Sequence, residues 1–448
     1  MGGLSRRWSA KLTSKGIWRP RIASDTLTDD HTKLRFMNMR HRNFSVRHRD
    51  GFWCLLAGFL LATVASTGMA APPSVEKADL FKAGEEGIAL YRIPGIIVTT
   101  NGTVLAYCEA RRNSRSDWAD SETYLRRSTN GGVSWDAARK IAHFGERLPR
   151  SPIALARKEG GTNDQTVNNP VAIADRQTGE VHFLYCVNYQ RCFYLRSEDD
   201  GLTFTKPVDI TPAFDKFRPE YDCNVIATGP GHGIQLANGR LVVPVWLSTG
   251  AKGHAPSVAA TIFSDDHGRT WQRGAIALPS ADEWPSPNET AAVQLADGSV
   301  MLNSRTNARK NRRVVTTSPD GATNWSGAHF DEALLEPVCM ASLVRYSAKP
   351  AAKKNRILFS NPDNLKNAKG DEKPGAHRDR KNLSIKVSYD EGKTWAVNKA
   401  LEEGSSGYSD LAVAGDGTIL CFYERHNALT VARFNLEWLS DGKDSAAQ

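Results

Sequence analysis

Short hairpin turns recur along this chain at a near-constant interval, and that spacing restricts its fold more than any other feature. Dipeptides of the Asn-Gly, Asp-Gly or Thr-Gly kind fall between apolar runs at Asn101-Gly102, Thr178-Gly179, Asn238-Gly239, Asp297-Gly298 and Asp416-Gly417. Such pairs accept the positive φ angles of tight two-residue hairpins. Successive turns lie 77, 60, 59 and 119 residues apart. The last interval is about twice its neighbours, which predicts a sixth hairpin closed by the polar loop near Lys349–Lys354. Six hairpins of short strands at this period predict an all-β fold, a six-bladed β-propeller of four-stranded antiparallel blades.

A second repeat runs beside the first. Ser-x-Asp-x-Gly-x-Thr-Trp occurs at Ser264–Trp271 and Ser388–Trp395, with a close variant at Ser197–Phe204 and a looser one at Ser128–Trp135. Ser318-Pro319-Asp320-Gly321 is a degenerate copy. The Asp side chain caps turn amides, the Gly takes a left-handed conformation, and the aromatic ring packs back on the sheet. These boxes read as scaffold, not as catalysis.

The net charge of +9 suggests a nucleic-acid partner only until it is localised. Residues 1–70 hold twelve Lys/Arg against four Asp/Glu, so the remainder carries a net charge of only +1. A nucleic-acid footprint requires a basic face on the folded domain, so no such partner is expected. The leader instead has the pattern of an export signal. Arg40, Arg42, Arg47 and Arg49 precede the apolar run Phe52–Ala65, and Gly68-Met69-Ala70 resembles a cleavage site. Translation starting at Met37 or Met39 would give a normal n-region. The apolar run is short for a bilayer, which predicts an exported chain with no stable membrane span once the signal is cleaved. An uncleaved anchor is the alternative. Residues 71–448 are then the propeller domain. Cys54 lies in the leader. The other six cysteines are too few for a disulfide framework in so long a domain, although Cys186 and Cys192 could pair across a turn. No Cys/His cluster has zinc spacing, and no metal or organic cofactor is expected.

Reactive residues fall at fixed distances from the turns. Arg92, Glu289 and Tyr408 lie eight or nine residues before them, and Glu109, Arg305 and Glu424 lie eight after. At ~3.3 Å per residue this puts all six ~26 Å from the turns, at the other end of the hairpins. Arg380 precedes Ser388 by eight residues and Asp117 precedes Ser128 by eleven, which predicts the same face for both. Any one of these is unremarkable as a solvated rim residue. Three arginines, several carboxylates and a tyrosine at matching depth in different blades are not.

At these residues the chain resembles the exo-α-sialidases (neuraminidases) with Asp boxes. The resemblance rests on Tyr91-Arg92-Ile93-Pro94, Ser116-Asp117-Trp118, Gly229-Pro230-Gly231-His232-Gly233 and Asn288-Glu289-Thr290. It continues through Asn303-Ser304-Arg305, Arg380-Lys381-Asn382-Leu383, Gly407-Tyr408-Ser409-Asp410 and Tyr423-Glu424, in the family's order along the whole domain. It implies sialylated glycoconjugates as substrates. Arg92, Arg305 and Arg380 match the triad that holds the sugar carboxylate, a task suited to guanidinium forks. Glu424 matches the carboxylate that orients the first arginine. Tyr408 matches the nucleophile and Glu289 its general base, since a charged nucleophile would be repelled by the carboxylate on the anomeric carbon. Sialidases are the tyrosine exception among glycosidases. Asp117 matches the acid/base.

Each assignment has a rival: Tyr408 as a packed strand tyrosine, Glu283 as the base in place of Glu289, and Asp120 in place of Asp117. Glu109 reads as an arginine partner or rim residue, and Arg111–Arg115 as a solvated loop. Asn130 and Ser134 in the first box, and Ala119 beside Asp117, depart from the family pattern. Three other functions fit parts of the sequence. A trans-sialidase would need an aromatic platform, for which Trp118, Trp246 and Trp284 are candidates. A non-catalytic sialoglycan-binding propeller would need only the boxes. A five-bladed furanosidase is disfavoured by the arginines and by the count of six.

Overall fold

The computed structural model describes residues 71–113, 116–142, 145–372 and 379–446. The leader over residues 1–70, with its expected signal, its candidate starts Met37 and Met39 and Cys54, lies outside the described residues. The fold is all-β, built of sheets of four to seven strands.

All six expected hairpins are formed. Val98 pairs with Val104, Ala174 with Val181, Gln235 with Leu241, Gln294 with Val300, and Val413 with Ile419. The sixth closes between Ser347 and Arg356, across the polar loop. The turn chemistry differs from expectation in one respect. In four of the turns the amide of the glycine bonds back three residues, as Gly102 does to the Thr99 carbonyl at 3.0 Å, and only the glycine takes positive φ. This is the three-residue loop with a left-handed glycine bulge, not the two-residue turn. It leaves Asn101, Asn238, Asp297 and Asp416 in ordinary φ space.

Consecutive sheets pack face to face. Leu105, Tyr107 and Leu125 of one interlock with Phe183, Tyr185 and Leu195 of the next. Val171 and Leu184 then meet Val243, Ile262 and Trp271. Strands enclosed in this way lose polar alternation, and Val104–Arg111 is buried at every position. The strand Val397–Val413 joins two sheets. Its first half pairs with Lys381–Ser388, and its second half with Ile419–Arg425. Val75–Lys82, the first described strand, pairs antiparallel with Ala428–Phe434, the last. Chain ends far apart in sequence therefore share one sheet.

The boxes sit at the turn end, where Ser264 pairs with Leu241 beside the Asn238-Gly239 turn. Asp266 Oδ1 accepts from the Thr270 amide at 2.8 Å and from Ser264 Oγ at 2.8 Å, and its Oδ2 accepts from Thr270 Oγ1 at 2.6 Å. The degenerate box is built alike, with the Thr323 amide 2.7 Å from Asp320 Oδ1. In the first box Asn130 Oδ1 takes the Asp position and accepts from the Ser134 amide at 2.9 Å.

The six described cysteines are buried free thiols. Cys186 and Cys192 stand directly opposite each other on adjacent strands without being bonded. Among the described residues no helix is long and apolar enough to cross a membrane.

Because the boxes lie away from the strand ends that carry the reactive residues, Asp266→Ala should cost stability alone. Loss of three hydrogen bonds to a charged acceptor is expected to lower unfolding free energy by about 1–3 kcal/mol. Denaturant unfolding would show this, with steady-state turnover per folded molecule unchanged.

Candidate active site

The expected residues project from the strand ends opposite the turns, and three of them sit at breaks in the ladder. Arg92, in Leu90–Val98, faces Glu109. The register slips between Arg92 and Gly95, where Ile93 takes φ 59°. A slip between Ser406 and Ser409 brackets Tyr408. Another falls between Lys381 and Leu383, beside Arg380, where Asn382 has φ 60°. Such irregularities turn side chains out of the strand's alternation and concentrate beside active sites. Glu289 and Arg305 are placed more simply. They flank the paired strands Thr290–Gln294 and Val300–Ser304, and the Arg305 amide donates to the Glu289 carbonyl at 3.0 Å.

Tyr408 is where these elements meet. Its buried hydroxyl donates to Glu289 Oε1 at 2.5 Å and accepts from Arg305 Nη1 at 2.8 Å. Arg305 also pairs with Glu289 Oε2. The guanidinium carbons of Arg92 and Arg380 lie 5.1 and 5.3 Å from the Tyr408 ring centroid. Burial pushes the hydroxyl's pKa up, more than Arg305 lowers it, and Glu289 adds to the rise. Tyr408 is thus a neutral phenol with a proton acceptor already in hydrogen-bond contact.

Arg92 forks onto Glu424, Nε to Oε1 at 3.0 Å and Nη2 to Oε2 at 3.2 Å. Glu424 also accepts the amides of Ile93 and Tyr408, each at 3.2 Å. The approach requires Gly407, because a Cβ there would lie 2.1 Å from Glu424 Oε2. Burial raises the Glu424 carboxyl, but Arg92 beside it brings it below the ordinary carboxylate range. Arg380 is held differently. Its Nη2 donates to the Val338 carbonyl at 2.5 Å, and among the described residues no carboxylate pairs with it.

Asp117 stands across from this group with 45% of its side chain exposed, 2.8 Å from Arg111 Nη2 and 3.6 Å from Arg92 Nη1. Its surroundings raise the carboxyl by desolvation, yet Arg111 and then Arg92 hold it well below the usual range. Arg111 corrects the reading of Arg111–Arg115 as a solvated loop. It ends the strand Val104–Arg111 and is buried, with Glu109 at 3.0 Å on one side and Asp117 on the other. A buried guanidinium is tolerable only with such compensation. Ser114 and Arg115 lie outside the described residues. Glu109 is therefore an arginine partner, and its Oε1 also accepts the Asn169 amide at 2.9 Å.

The rivals fall elsewhere. Asp120 pairs with Arg147 at 2.9 Å and accepts the Gln165 amide at 3.0 Å. Glu283 is exposed, whereas Glu289 is buried against Tyr408. Beside Asp117 the Trp118 ring stacks on His254 at 5.0 Å, with Tyr189 at 4.6 Å from Trp118 and Trp246 at 5.4 Å from His254. Burial keeps the His254 ring below its ordinary pKa, against the pull of Asp117. Trp284 packs instead on Phe330, at 5.9 Å. Tyr189 and His254 carry no periodic or motif signal in the sequence. The cavity beside the arginines measures 890 Å³ and is lined by Arg305, Val338, Arg380, Lys381, Gly407 and Glu424, among others. The arrangement offers a phenol with a base, a cation cluster open to an anion, and a separate carboxylate.

Comparison with known proteins identifies the family of this chain. The family model described as BNR repeat-like domain matches residues 150–421. A sialidase of Micromonospora viridifaciens is 30% identical over 432 residues, covering 88% of this chain and 60% of that protein. A Bacteroides fragilis sialidase is 30% identical, covering 76% of this chain and 61% of its own length. The chain thus spans about three fifths of these two relatives. Among solved structures, a Hadza microbial sialidase superposes with a TM-score of 0.63 at 27% identity, over 81% of this chain and 69% of that one. With its repeats, its fold and its strand-end cluster described, the chain belongs to the BNR-repeat sialidase family.

Proposed function

We propose that this chain is an exo-α-sialidase, a retaining hydrolase that removes terminal α-linked sialic acids from glycoconjugates. In this reading the sheets close as a six-bladed propeller, with the cluster at one mouth. The leader exports the chain, and no cofactor takes part. The observation that carries the proposal is the contact between the Tyr408 hydroxyl and Glu289 inside a ring of three arginines.

The mechanism follows from charge. The substrate carboxylate binds Arg92, Arg305 and Arg380. Arg380 is the member of the triad without a carboxylate counterion among the described residues, so the site gains most from an anion there. The Tyr408 proton passes to Glu289 Oε1 as the phenolic oxygen attacks the anomeric carbon. The bond to the leaving oxygen breaks, and that oxygen takes a proton from Asp117. Water then attacks the tyrosyl-linked sugar, gives its proton to Asp117 and frees Tyr408, which recovers its own from Glu289. Two displacements at one carbon retain configuration. Asp117 must be protonated for the first step, although Arg111 and Arg92 hold it ionised. The incoming carboxylate offsets the field of Arg92 and raises the proton affinity of Asp117.

Two substitutions separate the roles. Tyr408→Phe keeps the ring and removes the nucleophilic oxygen, so release from an aryl α-sialoside should fall by at least about 10³-fold with the fold intact. Undiminished release would exclude Tyr408 as nucleophile. Asp117→Ala should lower kcat/KM for sialyllactose by about 10²–10⁴-fold, the range of general acid catalysis. The loss for a 4-methylumbelliferyl sialoside should be much smaller, because that leaving group departs without a proton. Equal losses on both substrates would remove Asp117 from the acid role.

A further inference from the structure

The third arginine is anchored by a device that the family motifs do not contain. Arg380 hangs from one carbonyl, that of Val338, at 2.5 Å. Val338 has φ 59°. A β-branched residue in the left-handed region is strained, and it persists only where its surroundings enforce it. The enforcing groups are two buried charges. Arg313 pairs with Glu336 Oε2, and both side chains are almost fully shielded from solvent. Glu336 Oε1 accepts the Cys339 amide at 2.8 Å, and Arg313 Nη1 donates to the Cys339 carbonyl at 3.0 Å. The turn is therefore clamped on both sides of Val338.

The other edge of Arg313 reaches the strand that carries Arg305. Its Nε donates to Asn303 Oδ1 at 2.6 Å, and its Nη2 to the Asn303 carbonyl at 2.8 Å. Asn303 is two residues before Arg305. One guanidinium thus ties the strand bearing Arg305 to the turn that holds Arg380. A planar fork can bridge two such sites at a fixed separation, which a lysine cannot do. The same turn lays Cys339 and Met340 against Tyr408 and Ile93. Burial pushes the Cys339 thiol up to about 12, so it packs there as a neutral group.

We propose that Arg313, Glu336 and Val338 are positioning residues that set the distance between Arg305 and Arg380, and so match the pair to the width of a substrate carboxylate. The Arg313 and Glu336 clamps hold the Val338 carbonyl toward Arg380 against the strain of its backbone. This inference rests on the reading of the arginines as the carboxylate site.

Arg313→Lys keeps the charge opposite Glu336 and loses the bridge. Asn303→Ala cuts the Nε contact and keeps the Arg313–Glu336 pair, and it serves as the second variant if Arg313→Lys unfolds. Kinetics on an aryl α-sialoside, with urea unfolding of each protein, test both. We expect KM to rise about tenfold in each folded variant with kcat within about threefold, because Tyr408, Glu289 and Asp117 are untouched. Both effects on kcat/KM should vanish in an Arg380→Ala background, as they must if they act through Arg380. Unchanged KM in a folded variant overturns the proposal, and so does an undiminished effect in the Arg380→Ala background. An unmutated protein that neither cleaves nor binds the sialoside would instead reject the sialidase reading itself.

Discussion

A buried tyrosine surrounded by guanidinium groups is the constraint on which the site depends. Arg92, Arg305 and Arg380 cluster around Tyr408, and Arg111 stands close by with Asp117. Cations brought together out of water repel one another unless each is compensated. The chain supplies Glu424 to Arg92, Glu289 to Arg305 and Glu109 with Asp117 to Arg111. Arg380 is left with a carbonyl. The four guanidiniums and four carboxylates balance in number, and among the described residues the guanidinium with no carboxylate paired to it is Arg380, which lines the cavity. The compensating carboxylates also have second tasks. Glu289 takes the Tyr408 hydroxyl, and Glu424 ties Arg92 to the backbone of Ile93 and Tyr408.

The backbone makes that cluster possible by failing to be regular in the right places. A continuous ladder would alternate side chains strictly between faces. Register slips at Arg92, Tyr408 and Arg380 break the alternation where the clustered side chains turn inward. Behind them the sheets are closely packed and their far turns are locked by the boxes, so the irregularities are carried by a rigid frame. The long strand Val397–Val413 shows the link most directly. It leaves one sheet, slips at Gly407-Tyr408, and continues as the first partner of the next.

Much of this could be read in the sequence, for physical reasons that differ from residue to residue. The hairpin turns were legible because glycine marks a left-handed position whatever its tertiary surroundings, and the six pairings follow their spacing. Counting residues from those turns placed Arg92, Glu289, Arg305, Tyr408 and Glu424 at one end, because strand rise is nearly constant. The turn type was misjudged, since a glycine alone carries the positive φ. Arg111 was misread, because the three basic residues within Arg111–Arg115 look solvated until Glu109 and Asp117 are seen on either side of one of them. Ile93 and Val338 were illegible in principle. β-Branched residues predict extended strand, and only tertiary clamps hold them at φ 59°. The His254, Tyr189 and Trp246 group beside Trp118 comes from separate sheets and loops, with no shared spacing to reveal it.

The proposed tyrosine nucleophile requires a covalent bond between Tyr408 and the sugar during turnover. It is tested most directly by incubating the protein with a 2,3-difluorosialic acid, which forms the glycosyl-enzyme faster than water can clear it, and mapping the added mass by peptide sequencing. One adduct is expected, on the Tyr408 oxygen, decaying as activity returns. An adduct on Glu289 or Asp117, or turnover of natural sialosides with no adduct on any residue, would contradict the tyrosine nucleophile.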